Sequence, residues 1–280
     1  MRKTLLIFSL LLTQYISVLG QSQQDSLVVV NLDWKKTALE QGVTHYHAQV
    51  ASLYKGAQNI NIIEIDIKER PDLTADIVAS SKMERTSVMA KNNKAIAALN
   101  GTFYNMKLGN SVCYYKQDGV IVDTTSIDVC HRFGGVIIIK NGKLKLAPWS
   151  KDEELKNIKS GGKETILASG PMMIHNGEYL PIEHNDFNRT KHPRTAIAIT
   201  KDDKLLLITV DGRNKEKAIG VSINELAQLL KLLNVEEGLN LDGGGSTTLW
   251  SDKGNEDGIL NMPSDKAGER RVANIIVIKK

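Results

Sequence analysis

Cysteine is all but missing from this chain: there are two in 280 residues, Cys113 and Cys130. Two thiols without clustered histidines do not make a zinc site, and His175, His184 and His192 lack metal-ligand spacing. Charge of one sign is also scarce. The formal net charge is +4, falling to +2 without Arg2 and Lys3, which argues against nucleic acid and against a charged membrane surface as partners. Long apolar runs are absent too. The longest, Leu5 to Leu12, falls short of the roughly 20 residues that cross a bilayer, and no later segment is apolar enough to do so.

What is present is ordinary for a globular protein, 41% hydrophobic and 24% charged. A chain of this length buries roughly three quarters of its unfolded surface. Residues 1–20 have the layout of a secretory signal: Arg2 and Lys3, then the apolar Leu5 to Leu12, then Val18-Leu19-Gly20 ahead of a cleavage point near Gln21. The expected location is periplasmic or secreted, with no membrane contact after signal removal. An oxidising compartment permits a disulfide between Cys113 and Cys130; the sequence leaves open whether they are bridged.

Periodicity reads Leu27 to Leu32 as a buried strand and His45 to Leu53 and Asn59 to Ile67 as two more. Pro71-Asp72 opens a helix through Lys82, and Thr86 to Lys91 is a second. Asp118-Gly119, Asn141-Gly142 and Asn176-Gly177 are turn signals between short strands. Thr195 to Thr200 and Lys204 to Val210 form a hairpin, Ser222 with Glu225 makes a capping box, and Arg271 to Ile278 is the last strand. The expected class is α+β: a single compact domain on a mixed, largely antiparallel twisted sheet with a few flanking helices. Residues 21–84 supply N-terminal strands and a helix packed on a main domain of residues 85–280.

Three polar residues sit where apolar strands stop: Asn100 after Ala97-Ala98-Leu99, Asp211 after Leu206 to Val210, and Asp242 after Leu239-Asn240-Leu241. Asp and Asn favour turns in any case, but rigid strand ends are also where scaffolds place functional groups. Asp242 is followed by Gly243-Gly244-Gly245-Ser246-Thr247. Three glycines in a row cost entropy and suit a loop whose N–H groups approach an anion, above all a phosphate. Asp211-Gly212-Arg213 pairs a carboxylate with a guanidinium, Arg194 opens a strand, and Arg270-Arg271 opens the last one, where a guanidinium is placed for bidentate phosphate contact.

Five blocks occur in order: Ala98-Leu99-Asn100-Gly101-Thr102-Phe103-Tyr104, Ser169-Gly170-Pro171, Pro193-Arg194-Thr195-Ala196, Val210-Asp211-Gly212-Arg213, and Asn240-Leu241-Asp242-Gly243-Gly244-Gly245-Ser246-Thr247-Thr248. From about Arg85 to Ile278 the chain resembles the phosphodiester glycosidase family. The resemblance implies an enzyme that cleaves a sugar 1-phosphodiester at the glycosidic bond, with N-acetylglucosamine as one candidate sugar. It implies Asp242, Asp211 and Asn100 as catalytic residues. Arg194, Arg213, Gly243, Gly244, Gly245, Ser246, Thr247 and Arg271 would bind the phosphorylated glycan or sugar phosphodiester. An aromatic content of 5% offers no platform for a long glycan chain and favours a small or terminal sugar. Two other readings stay open: a phosphodiesterase in which Asp211 and Asp242 bind a divalent cation such as calcium or magnesium, and a non-catalytic module binding phosphoglycans in envelope or exopolysaccharide handling.

Overall fold

A computed structural model describes residues 23–126 and 132–280. The expected signal segment and Cys130 lie outside these residues; Cys113 is buried. Three sheets make up the molecule, and every strand pairing among the described residues is antiparallel. The largest has eight strands, in the order Lys35–Glu40, Val43–Leu53, Gly56–Asp66, Lys204–Val210, Arg194–Thr200, Val235–Asn240, Met172–His175 and Glu178–Tyr179. A five-stranded sheet runs Val120–Asp123, Tyr115–Gln117, Thr165–Ser169, Gly135–Lys140 and Lys143–Pro148. A four-stranded sheet runs Leu249–Ser251, Ala97–Asn100, Arg271–Lys279 and Thr74–Arg85.

Strand alternation explains why the large sheet lies between two cores. Ile197, Leu205, Leu207 and Leu239 face a core shared with the other sheets, through Leu99, Ile137 and Ile276. Their chain neighbours Ala196, Ala198, Leu206 and Ile208 face the helix Ile223–Leu232, whose Leu226, Ala227, Leu229 and Leu230 are buried. Continuous apolar runs such as Lys204–Val210 are therefore covered on both faces. The helix begins at Ser222, whose side chain accepts from Glu225 N while Glu225 returns to the Ser222 backbone. The predicted hairpin turns form with positive φ at both residues: Asp118 and Gly119, Asn141 and Gly142, Asn176 and Gly177.

Two predicted elements take the other form. Residues 23–30 are helical rather than extended. Asp25 and Val29 are buried and Val28 and Leu32 pack on the core, while Leu27 and Val30 face outward, a spacing that fits a helical stripe and not a strand. The segment predicted as a helix from Pro71 to Lys82 is instead largely taken up by the strand Thr74–Arg85, which runs beyond it and whose Ala75 and Ile77 alternate into the core beside Arg271–Lys279. The residues before 85 also do more than pack on the main domain: Gly56–Asp66 pairs along the full length of Lys204–Val210.

This topology brings the singled-out residues to one place. Arg194 pairs with Val210, one residue before Asp211, and Ala196 pairs with Asn240. Leu241 N donates to Thr195 O (2.9 Å), and Asp242 N donates to Gly101 O (3.1 Å). The last contact stitches the eight-stranded sheet to the four-stranded one, immediately beside Asn100.

Candidate active site

Asn100 is fully buried, and its carboxamide is fully used. Nδ2 donates to the Asp242 carbonyl (2.7 Å), while Oδ1 accepts from Thr195 Oγ1 (2.9 Å) and Thr248 N (3.0 Å). It thus grips both ends of the Gly243 to Thr247 loop and faces no open space. Gly101 must be glycine, because a Cβ there would run into Asn274, whose Oδ1 accepts from Thr102 N (2.9 Å).

Asp242 is only partly exposed, and burial pushes its carboxyl up to about 6; Ser246, Gly243 N–H, Arg270 and Arg132 act in the other direction. Gly243 N donates to its Oδ1 (2.9 Å). Tyr104 belongs to the same cluster: burial and the Asp242 charge raise its pKa, against Ser246 and Arg270, and its hydroxyl donates to Arg271 O (2.8 Å). Arg132 also packs over the rings of Phe103 (5.5 Å) and Phe187 (5.3 Å).

The three glycines have separate physical reasons. A Cβ on Gly243 would lie 2.6 Å from the Pro193 carbonyl oxygen. Gly244 has φ of +64°, and a Cβ there would sit 2.8 Å from Arg213 Nη2. A Cβ on Gly245 would collide with Arg270 and Asp265. The expected nest of free N–H groups is largely spent within the fold: Gly244 N donates to Pro193 O, Ser246 N to Gly243 O, and Thr247 N to Gly244 O. The glycines let two guanidinium groups lie flat against the loop. Ser246 and Thr247 are buried, and the Thr247 hydroxyl lies 3.3 Å from the Thr195 hydroxyl.

The arginines sort differently from expectation. Arg194 is 1% exposed. Its Nε donates to Val221 O (3.1 Å), and its Nη2 donates to Phe187 O (2.7 Å) and Thr190 O (2.8 Å). Desolvation lowers its pKa to about 10, partly offset by Asp242. Those donors fasten the 187–190 segment and are not offered to a ligand. Arg271 is exposed at the start of its strand, whereas its neighbour Arg270, just ahead of that strand, is partly buried and interacts with Asp242 and Asp265, so the guanidinium in the cluster is Arg270. Arg213 is exposed at the rim, in the left-handed region (φ +63°), and lies over Gly244.

Asp211 is 1% exposed and held by three donors: Asn59 Nδ2 (2.6 Å), Asn261 Nδ2 (2.9 Å) and Met262 N (3.0 Å). Burial raises its pKa against these bonds. Asn59 in turn receives His47 Nε2 (2.7 Å), and Asn261 also donates to Thr247 O (3.1 Å). Asp211 therefore supports the loop from behind. A hard cation needs oxygen ligands. Asp211 is instead ringed by N–H donors and Asp242 by arginines, and among the described residues no three carboxylate, histidine or cysteine side chains converge on a metal position. The residues do not fit the divalent cation considered from sequence.

Tyr104, Arg132, Arg270 and Asp265 complete the cluster; sequence named the Arg270-Arg271 pair but chose Arg271, and it did not single out the other three. Tyr104 lay inside the first motif block and Arg270 beside a chosen residue; Asp265 and Arg132 carried no local signal. A surface groove of about 750 Å³ lies elsewhere, lined by Asp76, Asp118, Lys140, Glu164 and Lys279 among others. Three of its lining charges are held in ion pairs, Lys279 with Asp76 (2.7 Å) and Glu164 with Lys116 (2.7 Å).

A half-buried carboxylate facing arginines at the seam of two sheets is an arrangement chemically suited to acid–base or nucleophilic work on an anionic substrate, and it is the candidate site. Residues 93–279 match the model of the phosphodiester glycosidase family, and the chain belongs to that family. It is 24% identical to the mouse N-acetylglucosamine-1-phosphodiester alpha-N-acetylglucosaminidase over 54% of this chain and 31% of that protein. It is also 24% identical to the bovine protein of that name, over 71% of this chain and 40% of that one. The matches thus span less than half the length of these relatives. The fold is similar to that of the zebrafish N-acetylglucosamine-1-phosphodiester alpha-N-acetylglucosaminidase catalytic domain auto-inhibited by pro-peptide, with a TM-score of 0.67 at 19% identity over 89% of this chain and 88% of that one. A hypothetical protein from Synechocystis also has a TM-score of 0.67, at 15% identity over 88% of this chain and 63% of that one.

Proposed function

We propose that the chain is an exported hydrolase that cleaves a sugar 1-phosphodiester at the glycosidic bond, releasing the sugar and a phosphomonoester. The observation that carries this reading is Asp242, a carboxylate raised by burial and opposed by Arg270 and Arg132. Arg270, Arg132 and the rim Arg213 hold the phosphate. Asp242 addresses the anomeric carbon, as nucleophile or as base for water, and stabilises the oxocarbenium-like transition state. A phosphate leaves readily, its second pKa being about 6, so charge stabilisation by guanidinium groups replaces a strong general acid. Asn100 and Asp211 act as supports that fix the loop, in place of the chemical roles read from sequence, and Arg194 fixes the segment behind it. Export rests on the signal layout of residues 1–20; among the described residues no helix is long and apolar enough to cross a membrane. N-acetylglucosamine is the first sugar to test, because the mammalian relatives are named for it.

Residues 21–280 are incubated with the methyl phosphodiester of N-acetylglucosamine 1-phosphate in oxygen-18 water, with and without chelator. Mass spectrometry is expected to find heavy oxygen in the released sugar. Heavy oxygen in the phosphate, with activity lost to chelator, would instead establish attack at phosphorus.

A further inference from the structure

Asp265 has no role in the chemistry above, yet it lies among the groups that would hold the phosphate. Its carboxylate accepts a bidentate pair from Arg270, Nε to Oδ2 at 2.7 Å and Nη2 to Oδ1 at 3.0 Å, and its Oδ1 is 3.9 Å from Arg213 Nη1. The side chain is 30% exposed, so it faces the cleft and not the core. The Asp265–Arg270 pair rests on Gly245, where no Cβ fits.

The segment that carries Asp265 is tied down on both sides. Upstream, Met262 N is held by Asp211 (3.0 Å). Downstream, Glu269 accepts from Ser87 N (2.8 Å) and Ser87 Oγ (2.5 Å). The turn between is closed by Gly268 N donating to Asp265 O (2.9 Å), with Gly268 at φ +81°. The carboxylate is therefore a fixed part of the site.

A fixed negative charge in an anion site acquires a use when the two forms of phosphate are compared. A phosphodiester carries one negative charge. A phosphomonoester carries close to two at neutral pH, its second pKa being about 6. A diester needs one delocalised cationic partner and tolerates a carboxylate behind it. The second charge of a monoester would find its guanidinium already neutralised and would face Asp265 at short range, where like charges repel strongly.

We propose that Asp265 is a specificity-determining residue: it neutralises Arg270 and Arg213 in part, so that the site accepts a phosphodiester and rejects a phosphomonoester. This rests on the reading of the Asp242 cleft as the phosphodiester site and goes beyond it. The selectivity has two consequences. Sugar 1-phosphates are excluded as substrates, and the phosphomonoester product is released without accumulating as an inhibitor.

The test is calorimetric binding at pH 7.5 to the Asp242→Asn protein, which keeps the diester intact, with and without a second substitution at Asp265. The probes are N-acetylglucosamine 1-phosphate and its methyl diester. The Asp242→Asn protein is expected to bind the diester about tenfold more tightly than the monoester, the scale of one extra like charge in a partly screened site. Adding Asp265→Asn should bring the two within about threefold, mainly by tightening the monoester, and adding Asp265→Glu should keep the preference. If Asp265→Asn weakens both probes equally, or leaves the preference intact, Asp265 only holds Arg270 in place and the proposal fails while the proposed site stands. If the Asp242→Asn protein binds neither probe, the reading of the site falls, and this proposal with it.

Discussion

Burial raises the Asp242 carboxyl to about 6, against about 3.9 for an exposed aspartate. The folded protein then holds this proton more tightly than the unfolded chain does. The ionised carboxylate thus lowers stability: the cost is complete above pH 6, shrinks as pH falls, and is gone below about pH 4. Asp242→Asn should melt at a higher temperature than the parent at pH 7, and circular dichroism should find the difference fading by pH 4. The same substitution should cut turnover by about 10²–10⁴-fold, the range for removing a positioned catalytic carboxylate. Because the ionised form is the working one, kcat/KM of the parent should fall about tenfold per pH unit below 6. A residue that weakens the fold where it is active is the pattern expected of a functional group and not of a structural turn.

At the scale of elements, the Gly243–Gly245 loop divides its work by position. Gly245→Ala should displace the Arg270–Asp265 pair, lowering kcat/KM for the diester with little change in melting, since flexible side chains can shift. Gly243→Ala meets a backbone carbonyl that cannot move aside and should cost about 1–3 kcal/mol of stability; denaturant titration of the two variants separates the effects. This loop also marks how far the sequence could be read. The strand ends at Asn100, Asp211 and Asp242, the paired Asn-Gly turns and the Ser222 capping box were legible because each depends on local chemistry. What the polar residues face was not legible. Asp211 and Asn100 point into the frame because donors from distant segments, Asn59, Asn261 and Thr195, meet them there. Arg194 turns inward to carbonyls of a segment that carries no local signal. Choosing Arg270 over Arg271 needs knowledge of which one meets Asp242 and Asp265, which the sequence alone does not assign. The two misread elements failed for a similar reason. Residues 23–30 are short and apolar, and such runs are ambiguous between strand and helix; the Pro71-Asp72 pair suggests a helix start ahead of what is a strand.

At the scale of the whole molecule, the part of the chain ahead of the family match is built into the fold. A fragment of residues 93–280 would lose Gly56–Asp66 from beside Lys204–Val210 and Thr74–Arg85 from beside Arg271–Lys279. Leu205, Leu206, Leu207 and Ile208 would then lie along an open sheet edge, the arrangement most prone to aggregation. Such a fragment should show no cooperative melting transition and should precipitate on expression, whereas residues 21–280 should unfold in one step. The supports of the site would be lost with those strands, since Asn59 comes from Gly56–Asp66 and His47 from the neighbouring strand Val43–Leu53.

The burial of Asn100 bears on how this protein ages. An asparagine followed by glycine is the pair most prone to lose its amide nitrogen, because the next backbone nitrogen can reach the side-chain carbonyl and close a ring. The chain has three such pairs within its described residues. Asn141 is exposed on a hairpin tip and is open to this reaction, whereas Asn176, though exposed, has its carboxamide bonded to His175 Nε2 (3.0 Å) and its following Gly177 N committed to Glu236 O (2.9 Å). Asn100 has its carboxamide pinned by Asp242, Thr195 and Thr248, and Gly101 N is committed to Asn274 O at 3.0 Å, so ring closure must wait for the seam between the sheets to part. Slow deamidation at position 100, set against fast deamidation at Asn141, makes the chain its own clock for how often the seam beside the candidate site comes open.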